Sequence, residues 1–203
     1  MLLAEVERAT AVLIASVGSN PFCQAVCGWD QQILADNFRS RTENGINDGW
    51  VYVVGVEEGA IDGVLFFNPP GYDFGYSRSL GGPIRNYRER VPDAIAQWQK
   101  DSFLPAYYAH IERAMGKTGL KDSFFINLIG IDPARQGHRL GSALMETAVK
   151  LADDLGVEMM LDTQEKRTVG WYQSFGFEIR DQAEIDVKGE AVTSWGMVRP
   201  AQS

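Results

Sequence analysis

Histidine and cysteine are scarce in this chain, with two of each among 203 residues. Cys23 and Cys27 stand four apart, so they could be helical neighbours, but His110 and His138 alone cannot complete a four-ligand zinc site. Free thiols, buried or partly exposed, are the expectation. No apolar run approaches the ~20 residues of a membrane span. The N-terminus lacks the basic flank, long apolar core and cleavage site of a secretory signal, so no membrane association and a cytoplasmic setting are expected. Positive charge is in deficit, 19 basic against 27 acidic residues for a net of −8. That balance argues against nucleic acid as the principal partner and suits a cationic small molecule. A hydrophobic share of 45% is ample for a core without staples, and the length predicts one domain over 1–203.

Taken in order, Ala4 to about Val17 has the period of an amphipathic helix, and a second helix is expected from about Asp30 to Arg41. These N-terminal helices occupy roughly 4–45, where Asn44-Gly45 and Asp48-Gly49 are turn signals. Trp50–Val56 and Ile61–Phe67 form a hairpin about Glu57-Glu58-Gly59. Residues 68–90 have no clear period and are expected to be a long loop. Helical spacing returns over about 92–115, where Pro105 should break or kink the helix. The aromatic set there reads as core, with Tyr107 or Tyr108 lining a pocket as the alternative. Strands over Phe124–Ile131 and Val157–Asp162 alternate with helices beginning near Leu140 and over Arg167–Phe175. A closing hairpin turns at Lys188-Gly189-Glu190. The pattern is mixed α/β around one sheet.

The organising stretch is Asp132-Pro133-Ala134-Arg135-Gln136-Gly137-His138-Arg139-Leu140-Gly141-Ser142. An apolar strand precedes it and a helix closed by Gly156 follows. The first amides of a helix have no internal partner and lie at the positive end of its dipole, which makes such a turn an anion site, commonly for phosphate. Residues 133–150 carry Arg135, Arg139 and Lys150 against Glu146 alone, a local excess of positive charge on an acidic chain. No Gly-Lys-Ser/Thr follows, which excludes a Walker loop, and the dinucleotide Gly-x-Gly-x-x-Gly spacing is absent.

Gln136-Gly137-His138-Arg139-Leu140-Gly141 resembles the Gln/Arg-x-x-Gly-x-Gly/Ala signature of the GNAT (Gcn5-related) N-acetyltransferases. Trp171-Tyr172-Gln173-Ser174-Phe175-Gly176-Phe177 resembles that family's Tyr-x-x-x-Gly-Phe segment, and Leu161-Asp162-Thr163 looks like the Leu-Glu-Thr of puromycin-acetyltransferase-like members. The resemblance implies the GNAT fold: a mixed, mostly antiparallel sheet splayed at its middle and flanked by helices, with an acyl-CoA-binding core over about 120–180. Its first edge strand would be short or absent, leaving an edge that a second copy could cover as a homodimer.

The resemblance implies acetyl-CoA as cofactor and a small amine as acceptor. The main chain of Ile129, Gly130 and Ile131 would run beside the pantetheine arm. Gln136, Gly137, His138, Arg139, Leu140, Gly141 and Ser142 would cradle the pyrophosphate. Thr168 stands where related sequences often place an asparagine on the cofactor. Arg139 replaces the signature's first glycine, a change of small cost at negative φ and a strained one at positive φ. Tyr172 is the candidate acid for the CoA sulfur and Asp162 the candidate base for the amine, its alternative being a cap on the following turn. Glu165, Asp122 and Glu158 are weaker candidates. The expected activity is acetyl transfer to a primary amine of a small molecule. The alternatives are a protein or peptide acetyltransferase and a catalytically silent acyl-CoA sensor.

Overall fold

The computed structural model describes residues 3–48, 50–71 and 89–202. The Asp48-Gly49 turn and most of the 68–90 loop expected from sequence lie outside the described residues. The chain divides into two compact units. The first takes the described chain up to Phe67, residues 89–92 and Asn127–Met145; the second takes residues 68–71, Asp93–Ile126 and the described chain from Glu146 onward.

The first unit opens with α1 (Leu3–Val17), α2 (Pro21–Val26) and α3 (Gln31–Asp48). Val6, Ala9, Val12 and Leu13 give α1 one buried face, as the helical period requires. Asn20 caps α2, its Oδ1 accepting from the amides of Phe22 (2.8 Å) and Cys23 (3.3 Å), and Asp30 does the same for Gln32 and Ile33 at α3. Cys23 lies within α2 and Cys27 at its C-cap; both are free, and burial pushes the Cys27 thiol up to about 12. One expectation fails here. Helix α3 passes through Asn44-Gly45 instead of turning there. A Cβ on Gly45 would stand 2.3 Å from Val51 Cγ2 and 3.0 Å from Phe66 Cε1, so this glycine serves a close approach of helix to hairpin. That hairpin is β1 (Val51–Val54) and β2 (Gly63–Asn68), antiparallel from Val51 opposite Phe66 to Val54 opposite Gly63.

The second unit begins with α4 (Asp93–Trp98), which runs through a π-helical segment, Gln99–Phe103, into α5 (Leu104–Met115). The chain therefore absorbs Pro105 without a break: the proline sits in the first turn of α5, and the π segment ahead of it accommodates the missing donor. A short α6 (Gly119–Asp122) leads into β3 (Phe124–Ile131); α7 (Leu140–Leu155), β4 (Met159–Thr163), α8 (Lys166–Gln173), β5 (Glu178–Val187) and β6 (Glu190–Arg199) complete the order. Gly156, at φ +65, ends α7 with bonds from its own amide to Asp153 O and from Val157 to Ala152 O, the Schellman arrangement. Lys188 (φ +55) and Gly189 (φ +93) turn the β5–β6 hairpin with the paired positive φ of a type I′ turn.

The sheet order is β1-β2-β3-β4-β6-β5. The central β3–β4 pair is parallel, joined at Phe124–Met159 and Phe125–Met160, the first two residues of the eight-residue β3. The β1–β2, β4–β6 and β6–β5 pairs are antiparallel, so the sheet is mixed and mostly antiparallel, as expected. Among the described residues the first strand is β1, a four-residue edge strand that follows helices.

Candidate active site

In the first unit, β3 ends at Ile131 and the chain enters a 3-10 turn, Pro133–Arg135. Asp132 shapes that turn, its Oδ1 accepting from the Ala134 amide at 2.9 Å and its Oδ2 accepting from Arg8 at 2.6 Å. Arg8 also donates to Ile61 O (2.8 Å) and to Asp62 Oδ1 (3.3 Å), while Asp62 O accepts from the Asp132 amide at 2.8 Å. One arginine of α1 thus ties the start of β2 to the end of β3. The Val56 amide, seconded by Arg8, holds the Asp62 carboxyl below its ordinary range, and the Ala134 amide and Arg8 do so for Asp132.

Beyond this anchor, Gln136, Gly137, His138 and Arg139 are exposed. Gly137 has φ +86 with open space where a Cβ would lie. Arg139 has φ +59, the strained alternative of the two that the sequence allowed. Its carbonyl accepts from Ala143 at 3.0 Å, which makes it the N-cap of α7 and leaves the amides of Leu140, Gly141 and Ser142 at the helix's open end. The Leu140 side chain is buried and anchors this end. Upstream on β3, Ile129 and Ile131 are half-buried, and a Cβ on Gly130 would lie 2.1 Å from Ser16 Oγ, so the glycine lets α1 sit against the strand. An ordinary L-residue at φ near +60° costs roughly 1 kcal/mol, and such strain collects where the backbone serves a ligand.

In the second unit the candidate base stands in a different setting. Asp162 faces Gly196 across the β4–β6 ladder, and Gly196 faces Asp181 across β6–β5. Register shifts between Ile179 and Asp181, a bulge that brings Asp181 rather than Arg180 opposite Gly196. Helix α5 reads this row from above. Tyr107 Oη donates to Asp162 Oδ1 at 2.9 Å, and one turn on, His110 Nδ1 lies 2.7 Å from Asp181 Oδ2. Gln164 Nε2 donates to Asp162 Oδ2 at 2.8 Å and to Ser194 Oγ at 3.1 Å. The capping alternative for Asp162 falls to its neighbour: the Glu165 amide donates to Thr163 Oγ1 at 3.2 Å. Burial pushes the Asp162 carboxyl above its ordinary range, only partly offset by its donors Gln164 and Tyr107 and by His110. Burial also acts on Asp181, but its bonds from Arg113 and His110 prevail and hold that carboxyl low.

Tyr172 lies on α8, buried between Trp171 (4.9 Å between ring centroids) and Phe177 (6.0 Å). Burial, with the Asp162 charge second, raises its ionisation above the ordinary phenol value, so it stays protonated. Among the described residues its hydroxyl has no hydrogen-bond partner. The segment after it is fixed by Arg199, buried at the end of β6, whose Nε donates to Phe175 O at 3.0 Å. Its terminal nitrogens grip both oxygens of Asp153 at 2.6 and 3.0 Å. Thr168 Oγ1 is occupied locally, 2.9 Å from Thr163 Oγ1 and 2.8 Å from Glu165 O.

Each unit therefore gathers part of the expected set. Glu165, Asp122 and Glu158 are all exposed. Sequence reasoning missed His110 and Asp181. The histidine had served only in excluding zinc, and the bulge that aims Asp181 has no sequence signal beyond Gly196 in Trp195-Gly196-Met197. Among the described residues no group of three or more His, Cys, Asp and Glu side chains is placed to hold a metal, and no helix is long and apolar enough to cross a membrane.

Residues 106–179 match the family model described as acetyltransferase (GNAT) domain. Among solved structures, the chain is similar to a mosquito arylalkylamine N-acetyltransferase like 5b (TM-score 0.66, 20% identity, 97% of this chain and 95% of that one). It is also similar to a histone acetyltransferase HPA2 and related acetyltransferase from Corynebacterium glutamicum (0.64, 16%, 100% and 94%). A third is the Drosophila melanogaster polyamine N-acetyltransferase that forms N-acetylagmatine (0.60, 18%, 98% and 96%). At these identities the likeness is one of fold.

Proposed function

We propose that this chain, whose residues 106–179 match the acetyltransferase (GNAT) domain model, moves the acetyl group of acetyl-CoA directly to a primary amine of a small molecule. The observation that carries this reading is Asp162. It is a carboxyl released from turn capping, held above its ordinary range by burial, and seated in an acidic chain. A cationic amine suits that environment. Arylalkylamine, polyamine and agmatine N-acetyltransferases share the fold.

The Gln136–Ser142 turn receives the pyrophosphate on the open amides of α7, with Arg139 adding charge. Ile129, Gly130 and Ile131 present main chain to the pantetheine arm, and an amide near Ile129 donates to the developing oxyanion. Thr168, already bonded within its turn, contributes position only. Asp162 takes a proton from the acceptor ammonium; the freed nitrogen attacks the thioester carbon, the C–S bond breaks with its electron pair on sulfur, and the second nitrogen proton follows to the leaving thiolate as the amide forms. A thiol ionises near ~8.5 and a phenol near ~10. With Tyr172 raised further, full proton transfer to sulfur is uphill, so the phenol acts as a hydrogen-bond donor that steadies the thiolate. The whole of 1–203 is proposed to serve as one acetyltransferase domain. The β1 edge, with Val53 exposed, supports pairing with a second copy, which light scattering tests.

Calorimetry with acetyl-CoA, followed by CoA-thiol release with a panel of arylalkylamines, polyamines and peptides, tests the function. Uptake with faster turnover of small amines is expected. Faster turnover of peptides supports the peptide reading, uptake without turnover supports a silent sensor, and no uptake of CoA or its esters overturns the assignment.

A further inference from the structure

His110 is fully buried, with its Nδ1 2.7 Å from the Asp181 carboxylate and its Nε2 without a hydrogen-bond partner among the described residues. Asp181, held also by Arg113 at 2.9 Å, accepts the Nδ1 hydrogen, which leaves the Nε2 lone pair open in the neutral ring. A buried acceptor left unmade destabilises a fold, so its retention calls for a partner that arrives. The ring's Cε1–Nε2 edge lies over Gly196, where a Cβ would come within 3.3 Å of Cε1 and 3.4 Å of Nε2. Gly196 is the cross-strand neighbour of Asp162 on one side and of Asp181 on the other. The imidazole thus lies over the middle of an Asp–Gly–Asp row, where a Cβ would meet Ala114 Cβ of the same helix at 2.6 Å, so the glycine is what lets α5 come this close. A nucleophile's base steered by a further carboxylate is a recurring arrangement; here the steered imidazole stands behind a carboxylate.

We propose that His110, oriented by Asp181, is a positioning and relay residue that takes up through Nε2 the proton Asp162 removes from the acceptor ammonium. The inference rests on the transferase reading above. In the step, an N–H bond of the ammonium breaks and an O–H bond forms on Asp162. That proton then passes by way of a water to Nε2, giving an imidazolium paired with Asp181 and returning Asp162 to its charged form. The amine lone pair attacks the thioester, the thiolate departs with the C–S electron pair, and the second amine proton goes to sulfur as the amide forms. The stored proton leaves to solvent before the next turnover. The groups facing the ring are Asp181 from β5, Asp162 from β4, and Tyr107 and Arg113 on its own helix.

The test uses the full chain and His110→Asn, whose amide preserves a donor toward Asp181. Expected are a fall in kcat of about thirtyfold, smaller than the roughly hundredfold or more that a general base itself supplies because the relay acts at one remove, an unchanged KM for acetyl-CoA, and a changed acidic limb in the pH–rate profile. Nitrogen NMR of the two histidines, assigned by loss of the His110 signal in the variant, should show Nδ1 protonated and Nε2 bare near neutral pH, with the preference lost in Asp181→Asn. A superposable acidic limb, or a doubly protonated His110 ring throughout pH 6–8, overturns the relay while wild-type turnover leaves the transferase reading intact. Wild-type protein that turns over no amine overturns both.

Discussion

The Gln136–Ser142 turn and the Asp162–Gly196–Asp181 row are prepared by opposite means. The turn is exposed, with backbone donors at a helix end and a non-glycine residue at φ +59. It presents the first amides of a helix, the donors proposed above for the pyrophosphate. The row is half-buried, acidic and held by side chains, with Tyr107, Gln164, His110 and Arg113 each spent on one of two carboxylates. Burial makes the identity of each atom there consequential, because a misplaced charge cannot be screened. Substitutions in the row should therefore act on rate, and substitutions in the turn should act weakly and chiefly on affinity.

The largest expected effect is Asp162→Asn. Loss of a general base costs on the order of a hundredfold in kcat, about 2.7 kcal/mol, with the acidic limb of the profile removed. The amide oxygen can keep the bond from Gln164, while its NH2 donates to the Tyr107 hydroxyl in place of accepting from it. Stability should move the other way. A carboxyl whose folded pKa is raised binds more protons folded than unfolded, so it subtracts stability as pH rises from the unfolded value through the folded one. Above that window the asparagine variant should unfold at a higher denaturant midpoint than wild type. An acidic limb matching wild type removes Asp162 from the chemistry.

Next is Asp153→Ala, which tests whether the rigidity of the row side depends on the buried Arg199 anchor. Arg199 is 8% exposed and Asp153 32% exposed. Exposed pairs contribute at most ~1 kcal/mol and breaking buried ones costs 3–5 kcal/mol, so a loss of about 2 kcal/mol in urea unfolding is expected. A loss below ~0.5 kcal/mol would reduce the clamp to a surface pair. Tyr172→Phe follows, with kcat lowered at least tenfold, ~1.4 kcal/mol, and little change in acetyl-CoA affinity by calorimetry. Unchanged turnover would leave Tyr172 a packing residue between Trp171 and Phe177.

The same contrast explains what the sequence made legible. The turn was readable because local rules write it: an apolar strand, a glycine-bearing turn, and a helix ended by Gly156. The row was only half readable. Asp162 and Tyr172 came from motifs, but the partners that define their setting are brought in by tertiary contacts. His110 is a single residue on a helix face, aimed by packing over Gly196. Asp181 faces the row because of a bulge, which shifts register without a composition signal. Gly45 was misread for a related reason: Asn-Gly suggests a turn, yet here the missing side chain serves the approach of α3 to Val51 and Phe66. Pro105 suggests a break or kink, yet the helix runs on through a π segment just ahead of it, which spacing does not encode.

The smallest effect, and the one that sharpens the contrast most, belongs to Arg139→Gly. Replacing an L-residue in the left-handed region removes roughly 1 kcal/mol of strain, while glycine adds roughly 0.5–1 kcal/mol of chain entropy to the unfolded state. The two nearly cancel, so the unfolding midpoint should shift little and, if at all, upward. The guanidinium is exposed and screened, so its loss should weaken acetyl-CoA binding only a few-fold, with the deficit shrinking as salt rises past the Debye regime. An affinity loss beyond tenfold that survives high salt would mean that Arg139 grips the phosphate through a directed bidentate contact. The turn would then depend on side-chain chemistry as the row does, and the distinction between them would fall.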